Sequence, residues 1–156
     1  MKKFVIALLL CLGIPLTANA EKILTPQPWK DFEPVWMENF ARDTVQSIDK
    51  GKRKVYVLEQ GIIASFYLDD AKNVEGIDVH YIHGTPSRYI KGVRQTIKTI
   101  FGKDKQIQSL INEFTKVEPD KFSLYKDGVC LERLKDPQLG LLFYASYSEE
   151  CPKYTK

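Results

Sequence analysis

The sequence predicts a single α+β domain: a largely antiparallel sheet packed with an N-terminal helix and a central helix pair. Three observations carry that prediction. Branched and aromatic residues fall in short runs around tight polar turns, as in VYVL-EQG-IIASFYL and FSLYK-DG-VCLERL. Between these two strand pairs, apolar residues from Tyr89 to Val117 recur at helical spacing instead. Segregation of strand runs from helices argues for α+β rather than the alternating pattern of a parallel sheet. Composition permits a core, with 44% hydrophobic, 28% charged and 12% aromatic residues, far from the polar, highly charged profile of disordered chains.

The first twenty residues, MKKFVIALLLCLGIPLTANA, join two lysines to an apolar run and end in Ala18-Asn19-Ala20. This is the order of a cleavable signal peptide, and it predicts a periplasmic or secreted protein. Lys2 and Lys3 would leave with it, so the formal charge of +3 drops by two. A nearly neutral remainder argues against a nucleic-acid binder, whose affinity comes largely from Lys and Arg on phosphates. After cleavage no apolar stretch approaches the roughly 18 residues of a membrane span. Cys11 lies in the apolar run, which leaves Cys130 and Cys151. In an oxidising compartment these two predict one disulfide, worth about 3 kcal/mol by loop entropy.

Residues 21–30, EKILTPQPWK, hold two prolines and little periodicity, and read as an extended lead-in to a domain spanning 31–156. From Phe32 to Ile48 the residues Trp36, Met37, Phe40, Ala41, Thr44 and Ile48 share a helical face, with Asp31 as cap and Pro34 in the first turn. Gly51 then stops the helix, and Lys50, Lys52, Arg53 and Lys54 flank its negative end. Val55–Leu58 and Ile62–Leu68 make a hairpin around Glu59-Gln60-Gly61. In a third strand Ile77, Val79 and Tyr81 face one way, and Asp78 and His80 the other.

Thr85-Pro86-Ser87 supplies a capping hydroxyl and a first-position proline for a helix running through Tyr89, Ile90, Val93, Ile97 and Ile100 to Gly102. A second helix, with Asp104 as cap, carries Ile107, Leu110, Ile111, Phe114 and Val117 on one face. Phe122–Lys126 and Val129–Leu134 flank Asp127-Gly128, a two-residue hairpin turn. The closing segment Leu139–Tyr147 admits two readings, a further strand or a helix started by Asp136-Pro137.

Candidate chemistry is sparse. His80 and His83 sit on opposite faces and only Asp78 is side-matched to His80, which predicts no metal site. Neither a nucleophile elbow nor a phosphate loop is present, and no catalytic residue or cofactor is predicted. The clearest asymmetry is a basic stripe of Arg88, Lys91, Arg94 and Lys98 at helical spacing, which reads first as the solvated side of an amphipathic helix and otherwise as a docking face for an acidic protein or an anionic ligand. Tyr125, Tyr144, Tyr147 and Tyr154 gather in sequence around the two cysteines, where packing on the disulfide is the expected use.

The order of KVYVL, FYLDDA, IDVHYI, two helices, VEPDKFSLY, DG and KDPQLGLLFY resembles the secreted bacterial proteins of the chalcone isomerase-like group over residues 54–147. It departs from the group at Pro119-Asp120, where a Gly-Asp is usual, and at Ala145-Ser146-Tyr147, where the last helix carries a tryptophan. The resemblance implies a closing helix from Pro137 to Tyr147 and a helix-covered sheet with a cleft for an apolar ligand; it carries over no catalytic residue. Two functional expectations follow. The first is an exported, non-enzymatic binding protein such as an inhibitor, immunity, chaperone or accessory factor. The alternative is an apolar-ligand-binding or isomerase-like protein.

Overall fold

The structure, a computed structural model, describes residues 23–38, 44–58, 61–82, 86–102, 105–116 and 120–154. In chain order these form helix α1 (Trp29–Met37), strands β1 (Thr44–Asp49), β2 (Arg53–Leu58), β3 (Ile62–Leu68) and β4 (Val74–Tyr81), helices α2 (Pro86–Phe101) and α3 (Lys105–Thr115), and strands β5 (Lys121–Lys126), β6 (Val129–Asp136) and β7 (Gly140–Tyr147). All seven strands join one antiparallel sheet in the order β1-β2-β3-β4-β7-β6-β5. The α+β prediction, with an N-terminal helix and a central helix pair, is the fold observed.

Alternation along the strands sorts side chains onto two sheet faces. Cross-strand partners such as Ala64 with Val79, Val79 with Phe143, and Ala145 with Leu131 place one apolar row against the helices. Phe32 and Trp36 of α1, Val93 and Ile97 of α2, and Ile111 and Phe114 of α3 close over it, each almost wholly buried. Burying each such side chain contributes about 1.5–3 kcal/mol. Two specific bonds lock the layer. The buried Trp36 Nε1–H donates to Thr96 Oγ1 at 3.0 Å, and the Gln95 amide donates to the Val35 carbonyl at 2.7 Å, so α1 and α2 are held in register.

The first helix differs from expectation at both ends. It begins at Trp29, inside the predicted lead-in, with Pro28 rather than Asp31 in the cap position and no side-chain cap. Pro34 therefore lies beyond the first turn, where its missing N–H weakens the helix, which stops at Met37. Residues 39–43, including Phe40 and Ala41, lie outside the described residues. Thr44–Asp49 forms β1, an edge strand paired to β2 with an irregularity near Thr44. Its alternate residues are not uniformly apolar, so helical and strand periods fit this stretch equally well.

Gly51 consequently closes a hairpin rather than a helix, its N–H donating to Asp49 Oδ1 at 2.8 Å. The cations around it serve the turn, with Lys54 paired to Asp49 and Lys52 to Asp70. The lead-in is extended only through Pro28 and is tied to the sheet. Leu24 N–H donates to the Asp127 carbonyl at 2.7 Å and Val74 N–H to the Gln27 carbonyl at 2.8 Å, while Leu24 and Trp29 pack on the core.

The ambiguous last segment is a strand. β7 inserts between β4 and β6, in register from Gly76 with Ser146 to Tyr81 with Leu141 on one side, and from Val129 with Tyr147 to Asp136 with Gly140 on the other. The closing helix implied by the resemblance is absent from Gly140–Tyr147. Asp136 starts a tight turn instead, its Oδ1 accepting from the N–H groups of Gln138 and Leu139 at 2.8 Å each. Those two bonds hold its carboxyl below the usual range.

The Asp127-Gly128 hairpin turn stands as predicted, with φ of 51° and 83°, the positive pair such a turn requires. It is also a junction. The lead-in bonds to Asp127, and the Ser148 N–H that opens the C-terminal segment donates to the Gly128 carbonyl at 3.2 Å.

Candidate interaction surfaces

The basic stripe follows from helical geometry. Tyr89, Val93, Thr96, Ile97 and Ile100 turn one arc of α2 into the core, so Arg88, Lys91, Arg94 and Lys98 are rotated outward. Lys91 and Arg94 are exposed, whereas Arg88 and Lys98 are half-buried. Among the described residues Lys91, Arg94 and Lys98 form no ion pair with a carboxylate. Thr85, the expected cap of α2, lies outside the described residues.

Cys130 and Cys151 stand at disulfide distance, with Sγ atoms 2.04 Å and Cα atoms 5.2 Å apart. Cys130 faces the side of the sheet away from the helices, since it pairs with Ser146 while its neighbours Val129 and Leu131 join the core. Residues 148–154 therefore run over the outer face of β5 and β6. Ser123 Oγ–H donates to the Pro152 carbonyl, and the Tyr154 hydroxyl donates to Glu132 at 2.7 Å. Burial, then that carboxylate, push the Tyr154 phenol up to about 12. A cleft of about 650 Å³ opens between this segment and β5, lined by Ser123, Leu124, Tyr125 and residues 149–154.

Of the four tyrosines expected near the disulfide, Tyr125 pairs directly with Cys130 and Tyr154 lies on the same face. Tyr144 packs edge-on against Tyr67, with ring centroids 6.5 Å apart. Tyr147 turns the other way, into the core beside Val129, where burial raises its phenol to about 12. A strand's period of two separates Tyr144 from Tyr147 by three positions, so the two must occupy opposite faces.

On the outer face lies a small network that sequence spacing did not single out. The Tyr67 hydroxyl donates to Asp78 at 2.8 Å, and Arg53 donates to the buried Ser65 hydroxyl at 3.1 Å while its guanidinium stacks 5.2 Å above the Tyr67 ring. The alternation that put Asp78 on the outer face was the available signal; its partner on β3 required the register. His80 Nε2 meets the Leu139 carbonyl, which accepts, so that nitrogen carries the proton and is not offered to a metal. His83 lies outside the described residues.

A second unheralded group is Arg133, 1% exposed on the helix-facing side of β6. Its guanidinium donates to the carbonyls of Glu113, at 2.7 Å, and Lys116 at the end of α3, and sits 5.5 Å above the Phe122 ring. Burial lowers its pKa. The side chain closes the helix terminus, where the last carbonyls lack intrahelical donors.

No protein-family model, curated protein or solved structure matches this chain.

Proposed function

We propose that this chain is an exported binding protein that acts by docking, presenting the outer stripe of α2 to an acidic protein partner. One observation carries the reading: Lys91 and Arg94 stand exposed on a rigid, well-packed helix with no carboxylate of the described residues paired to them. Unneutralised cations at helical spacing make a local positive field that steers an acidic surface and sets its orientation. The α1–α2 bonds hold the stripe still, so little ordering entropy is lost on association.

The test compares the wild-type protein with the R88E/K91E/R94E variant as baits in extract of the exporting cell, with quantitative mass spectrometry. A protein held by the wild type and lost by the variant, and released from the wild type by salt, supports the proposal. Identical captures by both baits reject it. A bound apolar compound in the native mass of the purified protein, with no protein dependent on the stripe, would favour the apolar-ligand reading instead.

A further inference from the structure

We propose that the outer edge of β5 and the C-terminal segment beside it form a second docking site, which takes an extended basic segment of a partner protein as an added strand. β5 ends the sheet, and its ladder to β6 fixes which backbone groups point inward. The Lys135 N–H donates to the Asp120 carbonyl at 2.7 Å, so the inward set is Asp120, Phe122, Leu124 and Lys126. Backbone groups of Lys121, Ser123 and Tyr125 therefore point away from the sheet. Among the described residues none of them is paired.

Sheet edges are ordinarily blunted by charge along their length. Here the lysines stand only at the ends of β5, at positions 121 and 126, and the middle reads Phe-Ser-Leu-Tyr. An incoming strand is thus limited to about five residues, roughly 17 Å at the rise of an extended chain. The cleft of about 650 Å³ lies along this middle stretch, and Tyr125, 48% exposed, offers a ring to a side chain entering it. Its far wall is fixed three times, by the Cys130–Cys151 pair, by Ser123 on Pro152 and by Tyr154 on Glu132.

Charge selects the occupant. The lining holds two carboxylates, Glu149 and Glu150, against the single ammonium of Lys153, and both carboxylates are exposed and unpaired among the described residues. Main-chain bonds to the edge would give affinity, and a basic side chain of the added strand reaching Glu149 and Glu150 would give selectivity. This site is opposite in sign to the α2 stripe and does not depend on it.

The experiment uses the full exported chain, labelled with ¹⁵N, and two capped five-residue probes, one alternating Val with Arg and one alternating Val with Glu. The Arg probe should bind about tenfold or more tightly than the Glu probe at low salt, and should slow amide exchange at Ser123 and Tyr125. E149K/E150K should remove that preference, while K91E/R94E should leave it intact. Equal affinity for the two probes overturns the proposal, and so does binding that leaves exchange at Ser123 and Tyr125 unchanged. A preference that survives E149K/E150K overturns it as well.

Discussion

The guanidinium of Arg133 on β6 donates to the main-chain carbonyl of Glu113 on α3 at 2.7 Å, and the same nitrogen reaches the carbonyl of Lys116. One side chain thus fastens the last helix to the sheet and satisfies two carbonyls that helix geometry leaves open. Helix-end carbonyl dipoles and the Phe122 ring, 5.5 Å below the guanidinium, favour its charge. Arg133→Met keeps much of the volume and removes both donations. It should destabilise the protein by about 2–4 kcal/mol, as expected when buried carbonyls lose charged donors, read as a lower urea midpoint with an unchanged slope. Arg133→Lys keeps a cationic donor but has a different reach and loses the planar stack on Phe122, and should fall between.

Trp36 and Thr96 join α1 to α2 through a buried bond. Thr96→Val is isosteric but removes the Oγ1 that accepts from the indole N–H, and should cost about 1–3 kcal/mol. Adding Trp36→Phe to that variant should cost less than it does alone, and a double-mutant cycle by urea unfolding measures the difference. Additive costs would mean the bond contributes nothing of its own.

Gly140 and Gly128 both hold φ of +83°, yet their surroundings differ. A Cβ at Gly140 would stand 2.2 Å from the Tyr81 carbonyl oxygen, main chain that cannot move without breaking the β4–β7 ladder. At Gly128 the nearest atom, 3.0 Å away, is the side-chain Cγ2 of Ile23. Gly140→Ala should therefore be the more damaging. A loss above about 3 kcal/mol is expected there from strain plus overlap, against about 1–2 kcal/mol at Gly128, by thermal unfolding.

Three phenols give the protein an alkaline limit. Tyr67, Tyr147 and Tyr154 are each pushed up to about 12, chiefly by burial, whereas in an unfolded chain such groups ionise near 10.0. Their folded pKa is raised, so the protonated form favours the native state. That stability is full below pH 10 and falls as pH rises towards 12. Chemical denaturation across this window should show the midpoint declining, with tyrosinate absorbance appearing alongside unfolding. An unchanged midpoint up to pH 12 would contradict it.

Much of this fold could be read from the chain, because local signals and tertiary placement agree. Asp127-Gly128 between apolar runs, the run IIASFYL, and Ile107, Leu110, Ile111 and Phe114 at helical spacing each admit one structure. Thr44–Asp49 and Gly140–Tyr147 did not. The first is a short edge strand whose apolar positions also fit a helix, and the second is settled by the β4 and β6 partners it inserts between. The basic stripe was legible because helical periodicity alone creates it. The β5 cleft was not, since it needs strand order, an edge and a covalent tether to meet in one place.

The cysteine pair carries its own expectation. Alkylation of the protein isolated without reductant, followed by mass spectrometry, should leave Cys130 and Cys151 unlabelled and join their peptides, as their separation in the fold allows. Labelling of both would remove the tether that shapes the cleft.

The central claim, that α2 is the docking surface, is tested most directly by photo-crosslinking in the cell that makes the protein. A photoreactive residue at Lys91 or Arg94 should give a discrete adduct with an acidic protein, and one at Gln138, exposed on the β6–β7 turn, should not. The adduct should vanish when the remaining cations of the stripe are reversed to Glu. No adduct at either α2 position, or one that persists unchanged after charge reversal, would contradict the account.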